Sequence, residues 1–502
     1  MSEDAAFTTA TVEQLGRLAR ADAVRRLWAR DHALWQESPA EVADRLGWLD
    51  SPDDMLHRIG ELESFAIGLA SNGFTHVVLM GMGGSSLFPE VAVRTWGDGA
   101  GALRVVILDT TDPAAIRRVT NQLPLDTTFF IAASKSGTTV ETRSQLAYFW
   151  DLVGRAEQFG AITDPGGPLA SLARDRSFHA VFENRPDIGG RYSALSHFGL
   201  VPAALVGLEL EELLRRALDM VDACRDLTET NPGAVLAAQM AAGVASGRDK
   251  LTLRLAPSVA AFGAWIEQLI AESTGKRGTG IIPIDGEPER HATAYADDRL
   301  FVGLGVPVDV PHHPTLRFPL DDPYDLGGEV VRWEVATALV GHLLGVNPFD
   351  QPDVKAAKDA TDAVLASGIP AVGEEDPEVL LVAMAPGDYL AVQAFVDPEG
   401  DLIHEIQAAA HRIGSERGVA VTVGLGPRYL HSTGQLHKGG PPIGVFLQVV
   451  QPDAEDLAIP GAGYSFSDLK RAQAAGDLRA LQARGLRAAR VSAEALVTTA
   501  FE

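Results

Sequence analysis

The sequence predicts an α/β protein with two parallel sheets, each flanked by helices, between a helical N-terminal segment and a mixed C-terminal extension. Three observations predict it. Short apolar runs of strand length recur from about residue 75, separated by helix-like stretches. Several of these runs end in turns rich in Gly, Ser and Thr. A long helical stretch then interrupts the pattern, after which it starts again. A chain of 502 residues also exceeds what one hydrophobic core serves. The expected division is 1–70 helical, 71–208 first sheet domain, 209–374 second, and 375–502 an α/β extension that completes the site.

In the first segment Val12, Leu15, Leu18 and Ala19 share a helix face, and Met55, Ile59, Leu62 and Leu69 form an apolar stripe. Ser38-Pro39-Ala40-Glu41 and Ser51-Pro52-Asp53-Asp54 read as helix starts, with Ser as N-cap and Pro at the first helical position. Strands are expected at Val77–Met80, Val105–Leu108 and Phe129–Ala133. A helical region near 209–247 follows. The second series has strands at Leu251–Leu255, Ile281–Ile284, Leu300–Val302 and Leu316–Phe318, with a helix near 258–274. In the extension, Leu380–Ala383 and Val419–Val423 read as strands around a helix near 399–414, and two short helices near 467–474 and 477–484 close the chain.

Composition narrows the function. The net charge of −25 repels nucleic-acid phosphates and argues against a nucleic-acid partner. The same field repels a small phosphate ester, so a phosphate site has to be built locally from backbone N–H groups and hydroxyls. Cys224 is the single cysteine, which excludes an intrachain disulfide and fits a reducing compartment. No signal peptide or membrane-spanning run is evident, so a cytoplasmic protein without membrane contact is expected.

Two loops suit a phosphate. Gly81-Met82-Gly83-Gly84-Ser85-Ser86 follows a strand, and its glycines let N–H groups approach an anion at a helix start. The same loop could be only a tight turn, and it has neither dinucleotide spacing nor the Walker lysine. Ser134-Lys135-Ser136-Gly137-Thr138-Thr139 offers hydroxyls and an ammonium at a strand end. Thr138 and Glu141 also have capping-box spacing, the plainer reading of that segment. Gln268 and Glu272 are four apart, hence on one helix face, with Gly275 as a C-cap. A carboxylate there is pushed toward neutrality by the helix dipole and by desolvation, as a general base needs. An ordinary Glu272–Lys276 helix pair is the alternative. His312-His313 lacks zinc-ligand spacing, and no metal or organic cofactor is expected.

Together the two loops resemble the sugar-isomerase (SIS) domain of phosphosugar-binding proteins. Three further segments narrow the resemblance: Gly189-Gly190-Arg191-Tyr192-Ser193, Gln268-Leu269-Ile270-Ala271-Glu272-Ser273-Thr274-Gly275-Lys276, and Asn347-Pro348-Phe349-Asp350-Gln351-Pro352 with Lys358. In that order they resemble the glucose-6-phosphate isomerase family. The stretch Gly426-Pro427-Arg428-Tyr429-Leu430-His431-Ser432-Thr433-Gly434-Gln435-Leu436-His437-Lys438-Gly439-Gly440 is similar to the isomerase half of bifunctional transaldolase–glucose-6-phosphate isomerases.

The resemblance implies reversible isomerisation of glucose 6-phosphate and fructose 6-phosphate through a cis-enediol, in a homodimer. Gly84, Ser85, Ser134, Lys135, Ser136 and Thr139 would surround the substrate, mostly its phosphate. Glu272 would be the base with Gln268 beside it, Arg191 would stabilise the enediolate, Gln351 would be a polar contact and Lys358 would help open the ring. The family's ring-opening histidine has no clear match, and His437 is the expected candidate with His431 as rival. The transaldolase portion is absent, so a separate transaldolase acting alongside is expected. Wider specificity that includes mannose 6-phosphate, or a non-catalytic phosphosugar sensor, are the other readings; a sensor need not keep Glu272, Arg191 and Lys358 together.

Overall fold

The computed structural model describes residues 3–97, 102–353, 361, 363–365 and 368–501. Three parallel sheets organise them. The first holds β1 (His76–Gly81), β2 (Arg104–Leu108), β3 (Thr128–Ala133), β4 (Phe159–Thr163) and β5 (Ala180–Glu183), in the order β2-β1-β3-β4-β5. The second holds β6 (Lys250–Leu255), β7 (Ile282–Ile284), β8 (Arg299–Leu304) and β9 (Thr315–Phe318), in the order β7-β6-β8-β9. The extension contributes a third sheet of β10 (Tyr389–Phe395), β11 (Ala420–Leu425), β12 (Gly444–Val450) and β13 (Arg487–Arg490), in the order β11-β10-β12-β13. Among the described residues, the strand pairings within the three sheets are all parallel. Strands such as Val77–Met80 and Phe129–Ala132 are buried on both faces, as a sheet covered by helices on both sides requires.

Several expectations need correction. Residues 38–45 form turns, because Glu41 adopts φ +58, a left-handed conformation no helix contains. Ser51 begins the Ser51–Leu56 helix but does not cap it: it is buried and its hydroxyl donates to the Leu195 carbonyl at 2.5 Å. The run at 380–383 is not a strand. Pro377 opens a short Glu378–Leu381 helix, and the Asp376 carboxylate accepts from the Glu378 N–H at 2.9 Å. One continuous helix, Phe466–Gln482, replaces the two short ones; Gly476 does not break it, and an added methyl there would sit 2.9 Å from the Thr361 hydroxyl. The Thr138–Glu141 capping box does not form, since Thr138 pairs with the Ser136 hydroxyl and Glu141 faces His431 and Gln473. Strand β4 went unexpected because Gly160 weakens its pattern. That glycine lies under Phe129, 3.0 Å from where its methyl would stand.

Among the described residues no helix is long and apolar enough to cross a membrane.

Candidate active site

The site begins at the carboxyl ends of β1 and β3. These strands are hydrogen-bonded neighbours, with Gly81 opposite Ala133, so the 81–86 and 134–139 loops emerge side by side. In the order β2-β1-β3 this is the topological switch point, where ligands of such sheets bind. The Ser134 hydroxyl meets the Thr139 hydroxyl at 2.9 Å and accepts from the Gly137 N–H at 3.1 Å. Gly137 has φ +68 and lies against Leu169, where a methyl would come within 2.7 Å of the backbone nitrogen. Ser136 and Thr138 turn their hydroxyls outward, and the Val140–Val153 helix starts beyond Thr139 without a side-chain cap. Lys135 is held by the Asp164 carboxylate and by the Pro186 carbonyl at 2.9 Å.

Opposite the glycine loop stands the Phe262–Thr274 helix. Gln268 and Glu272 occupy one face, and the Gln268 amide donates to Glu272 Oε2 at 3.3 Å and to the His431 carbonyl at 2.7 Å. Gln268 Oε1 is buried and has no protein partner among the described residues. Lys276 does not pair with Glu272. Its ammonium donates to the Asn347 carbonyl at 2.5 Å and meets the Asp350 carboxylate at 2.8 Å, and burial pushes its pKa down to about 7.

Arg191 is the hub. The Gly190–Tyr192 turn that carries it is anchored by Tyr192, which stacks on Trp48 with centroids 5.1 Å apart. Arg191 Nη1 lies 3.1 Å from Glu272 Oε1, with only 4% and 8% of the two side chains exposed. Arg191 Nε donates to the Ser273 hydroxyl at 2.8 Å, and Nη2 donates to the carbonyls of Pro348 at 2.7 Å and Asp350 at 2.8 Å. The Gln351 amide oxygen is 3.5 Å from Nη1. One guanidinium thus joins three motifs that lie far apart in the chain. Gly84 allows the contact on the other side: its hydrogen faces the Gly190 carbonyl, where a methyl would be 1.9 Å from the oxygen. Ser85 is buried in the same loop.

The two candidate histidines differ in their surroundings. His437 sits in the Gly434–Gly439 helix with its ring between Tyr429 and Phe446, and its Nδ1 is 3.2 Å from the Gln393 amide. Burial pushes its pKa down to about 3. The rival His431 lies beside the 81–86 loop. Its Nε2 is 2.8 Å from Glu141 Oε1, and its backbone and Cβ lie beside Gly83. Glu141 also accepts from the Gln473 amide at 2.7 Å. In the sequence Glu141 shows only capping-box spacing with Thr138, and nothing in the local sequence marks Gln473. Lys358 lies outside the described residues.

Hydroxyl-rich loops at a switch point, and a helix carboxylate faced by an enclosed guanidinium, define the class: an aldose–ketose isomerase acting on phosphosugars, built on a parallel α/β fold. The phosphoglucose isomerase family pattern matches residues 53–295. A glucose-6-phosphate isomerase of Cyanothece sp. is 31% identical over 351 residues, 58% of this chain and 66% of that protein. Another, of Synechococcus sp. (strain JA-3-3Ab), is 30% identical over 59% of this chain and 67% of its own length. Among solved structures, a hypothetical protein of Thermus thermophilus aligns with TM-score 0.60 and 25% identity over 72% of this chain and 98% of its own. A glucose-6-phosphate isomerase of Chlamydia trachomatis shares the fold at TM-score 0.54 and 22% identity, over 68% and 78% of the two chains. The chain belongs to the glucose-6-phosphate isomerase family.

Proposed function

We infer that this chain interconverts glucose 6-phosphate and fructose 6-phosphate, with Glu272 moving the proton. The observation that carries the reading is the enclosed Arg191–Glu272 contact at 3.1 Å. A general base needs a fixed position, and the nascent enediolate needs preorganised positive charge; this pair supplies both in a small volume. Glu272 takes the proton from C2 of the open-chain aldose, the electrons form the enediolate, and the proton returns to C1 while the O1 and O2 protons rearrange. Gln268 Oε1, with no protein partner among the described residues, is placed to accept from a sugar hydroxyl.

The phosphate end is assigned to Ser134, Ser136, Thr138 and Thr139 together with the N–H groups that open the Val140–Val153 helix. For ring opening the geometry favours His431 over His437, because Glu141 can hold the His431 imidazole in one orientation. Lys358 keeps its sequence-based assignment. The same proposal covers a cytoplasmic reaction, a homodimer, and kinship to the isomerase half of bifunctional transaldolase proteins with a separate transaldolase alongside.

The test is fructose 6-phosphate conversion, read through a glucose-6-phosphate dehydrogenase couple, for wild type and Glu272→Gln. The expected result is a wild type that turns over and a folded variant slower by about 10³-fold or more. A folded wild type that binds the sugar phosphate without converting it points to the sensor reading. A Glu272→Gln variant that keeps its rate shows that another group is the base.

A further inference from the structure

Arg191 divides its N–H groups among several acceptors. Nε takes the Ser273 hydroxyl, and Nη2 donates to two carbonyls, Pro348 at 2.7 Å and Asp350 at 2.8 Å. Nη1 is left to face Glu272, 3.1 Å from Oε1, with the Gln351 amide oxygen at 3.5 Å. A guanidinium is planar and stiff, so the direction of Nη1 is set where Nη2 is held. That place is the 347–350 turn. Whatever fixes the carbonyls of this turn also fixes the charge that faces the base.

A second buried cation grips the same turn. Lys276 donates to the Asn347 carbonyl at 2.5 Å and to the Asp350 carbonyl at 2.6 Å, and its ammonium lies 2.8 Å from the Asp350 carboxylate. The Asp350 carbonyl thus accepts from both cations, as its two lone pairs allow. Arg191 comes from the first unit of the fold, built on β1–β5, and Lys276 from the second, built on β6–β9. Other contacts hold the middle of the turn. The Asn347 amide oxygen accepts from the Phe349 N–H at 2.9 Å, and the Phe349 ring packs on Trp35 and Tyr192 with centroids 5.0 and 5.3 Å away.

Lys276 is itself fixed at its backbone. Its N–H donates to the Thr279 carbonyl at 2.9 Å, and its carbonyl accepts from the Thr279 N–H at 3.0 Å. Between them Arg277 and Gly278 have φ +55 and +77, the two left-handed residues of a type I′ turn. The Gly278 N–H donates to the Gly439 carbonyl at 2.9 Å. This turn follows directly on the Phe262–Thr274 helix, so the element that carries Glu272 in its last turn also sets the stem of Lys276. The side chain is only 4% exposed. A cation so enclosed is costly unless acceptors meet it, and the acceptors here are the carbonyls of the turn that anchors Arg191.

We propose that Lys276 is a positioning residue of the isomerase: it fixes the 347–350 turn on which Arg191 Nη2 rests, and so keeps Nη1 on Glu272. This rests on the isomerase reading above, in which Arg191 stabilises the enediolate. Lys276 acts through Arg191. Its loss takes the donor from the Asn347 carbonyl and the cation from the Asp350 carboxylate; the turn shifts to relieve them, and the guanidinium follows.

The experiment is a double-mutant cycle on the full-length protein, read as fructose 6-phosphate conversion in the coupled assay. Wild type, Lys276→Met, Arg191→Lys and the double variant are compared, with folding checked by circular dichroism. Met keeps the unbranched stem and removes the donors. Lys276→Met is expected to lose about tenfold to a hundredfold in kcat, with KM within about threefold of wild type. The double variant is expected within about threefold of Arg191→Lys alone, since the fork that Lys276 positions is already gone. Independent effects would multiply, and a double variant slower than Arg191→Lys by a further tenfold or so overturns the proposal. A folded Lys276→Met chain with kcat within about threefold of wild type also overturns it, as does a loss confined to KM. Where Lys276→Met does not fold, Lys276→Gln carries the same cycle with the same outcomes, because its amide stays polar and is one bond too short to reach both carbonyls. A folded wild type without turnover fails the isomerase reading itself and this proposal with it, whereas each of the other overturning results leaves that reading standing.

Discussion

Gly84 and Gly190 face each other where the glycine loop of the first sheet meets the turn that carries Arg191, and their environments differ sharply. A methyl on Gly84 would stand 1.9 Å from the Gly190 carbonyl oxygen and 2.4 Å from its carbon. Both are backbone atoms, so no rotamer change relieves the clash. Ordinary contact begins near 3.4 Å, so the two loops would have to part by about 1.5 Å. Arg191 follows directly, and it holds Glu272 at 3.1 Å. Misplacing catalytic groups by about 1 Å costs on the order of 10²-fold in rate, or about 2.7 kcal/mol of barrier. Gly190 is the control, because a methyl there meets nothing within 4 Å. Gly84→Ala is therefore expected to lose about 10²-fold or more in kcat/KM, and Gly190→Ala less than about threefold. Both are measured in the coupled assay, with circular dichroism and melting curves to confirm folding. Equal losses in the two variants, or a folded Gly84→Ala enzyme within threefold of wild type, would refute the claim that this backbone contact sets the Arg191–Glu272 geometry.

Two other outcomes follow from named contacts. In Arg191→Lys, one ammonium replaces a planar fork that reaches Glu272, the Ser273 hydroxyl and two carbonyls, so kcat should fall about 10²–10³-fold while KM changes little; steady-state kinetics showing less than a tenfold loss in kcat would count against Arg191 as the charge stabiliser. Burial holds His437 at about 3, against 6.5 for the free side chain, so the folded state binds this proton less readily than the unfolded one. The stability tied to its neutral form is complete above pH 6.5 and is lost as pH falls toward 3, an effect on the order of 4–5 kcal/mol at its limit. Urea unfolding across that window should therefore steepen less with acid in His437→Gln than in wild type, while turnover is kept; parallel pH dependences would show that His437 is not buried neutral.

The first two sheets were legible because their strands are apolar runs that end in Gly, Ser and Thr turns, and burial on both faces leaves little else for such runs to do. Strand β5 was missed because Ala180–Glu183 is short and half-exposed, with no pattern to read. The site was legible where one segment carries the chemistry: Gln268 and Glu272 are helix neighbours and remain so in the fold. It was illegible where partners meet across the chain. Glu141 has the spacing of a cap, and its actual choice of His431, 290 residues away, is a tertiary event. His431 and His437 share one segment, and position alone could not say which turns outward. The Gly434–Gly439 helix packs against Gly275, which leaves His437 facing the rings of Tyr429 and Phe446, whereas His431 precedes that helix at the first unit's loops.

The acidity of the chain raises a problem that the site resolves locally. With a net charge of −25, carboxylates close to a phosphosugar would repel it unless they are neutralised. Around this site they are paired: Glu272 with Arg191, Asp350 with Lys276, Asp164 with Lys135, Glu90 and Asp109 with Arg428, and Glu141 with His431. Two of those partners, Arg428 and His431, come from the segment that follows β11. Arg428 bonds Glu90 and lies 3.3 Å from Asp109, while Arg94 is also 3.8 Å from Glu90. Through Arg428, the segment after β11 thus supplies positive charge beside the first sheet's strand-end loops, inside a strongly acidic protein.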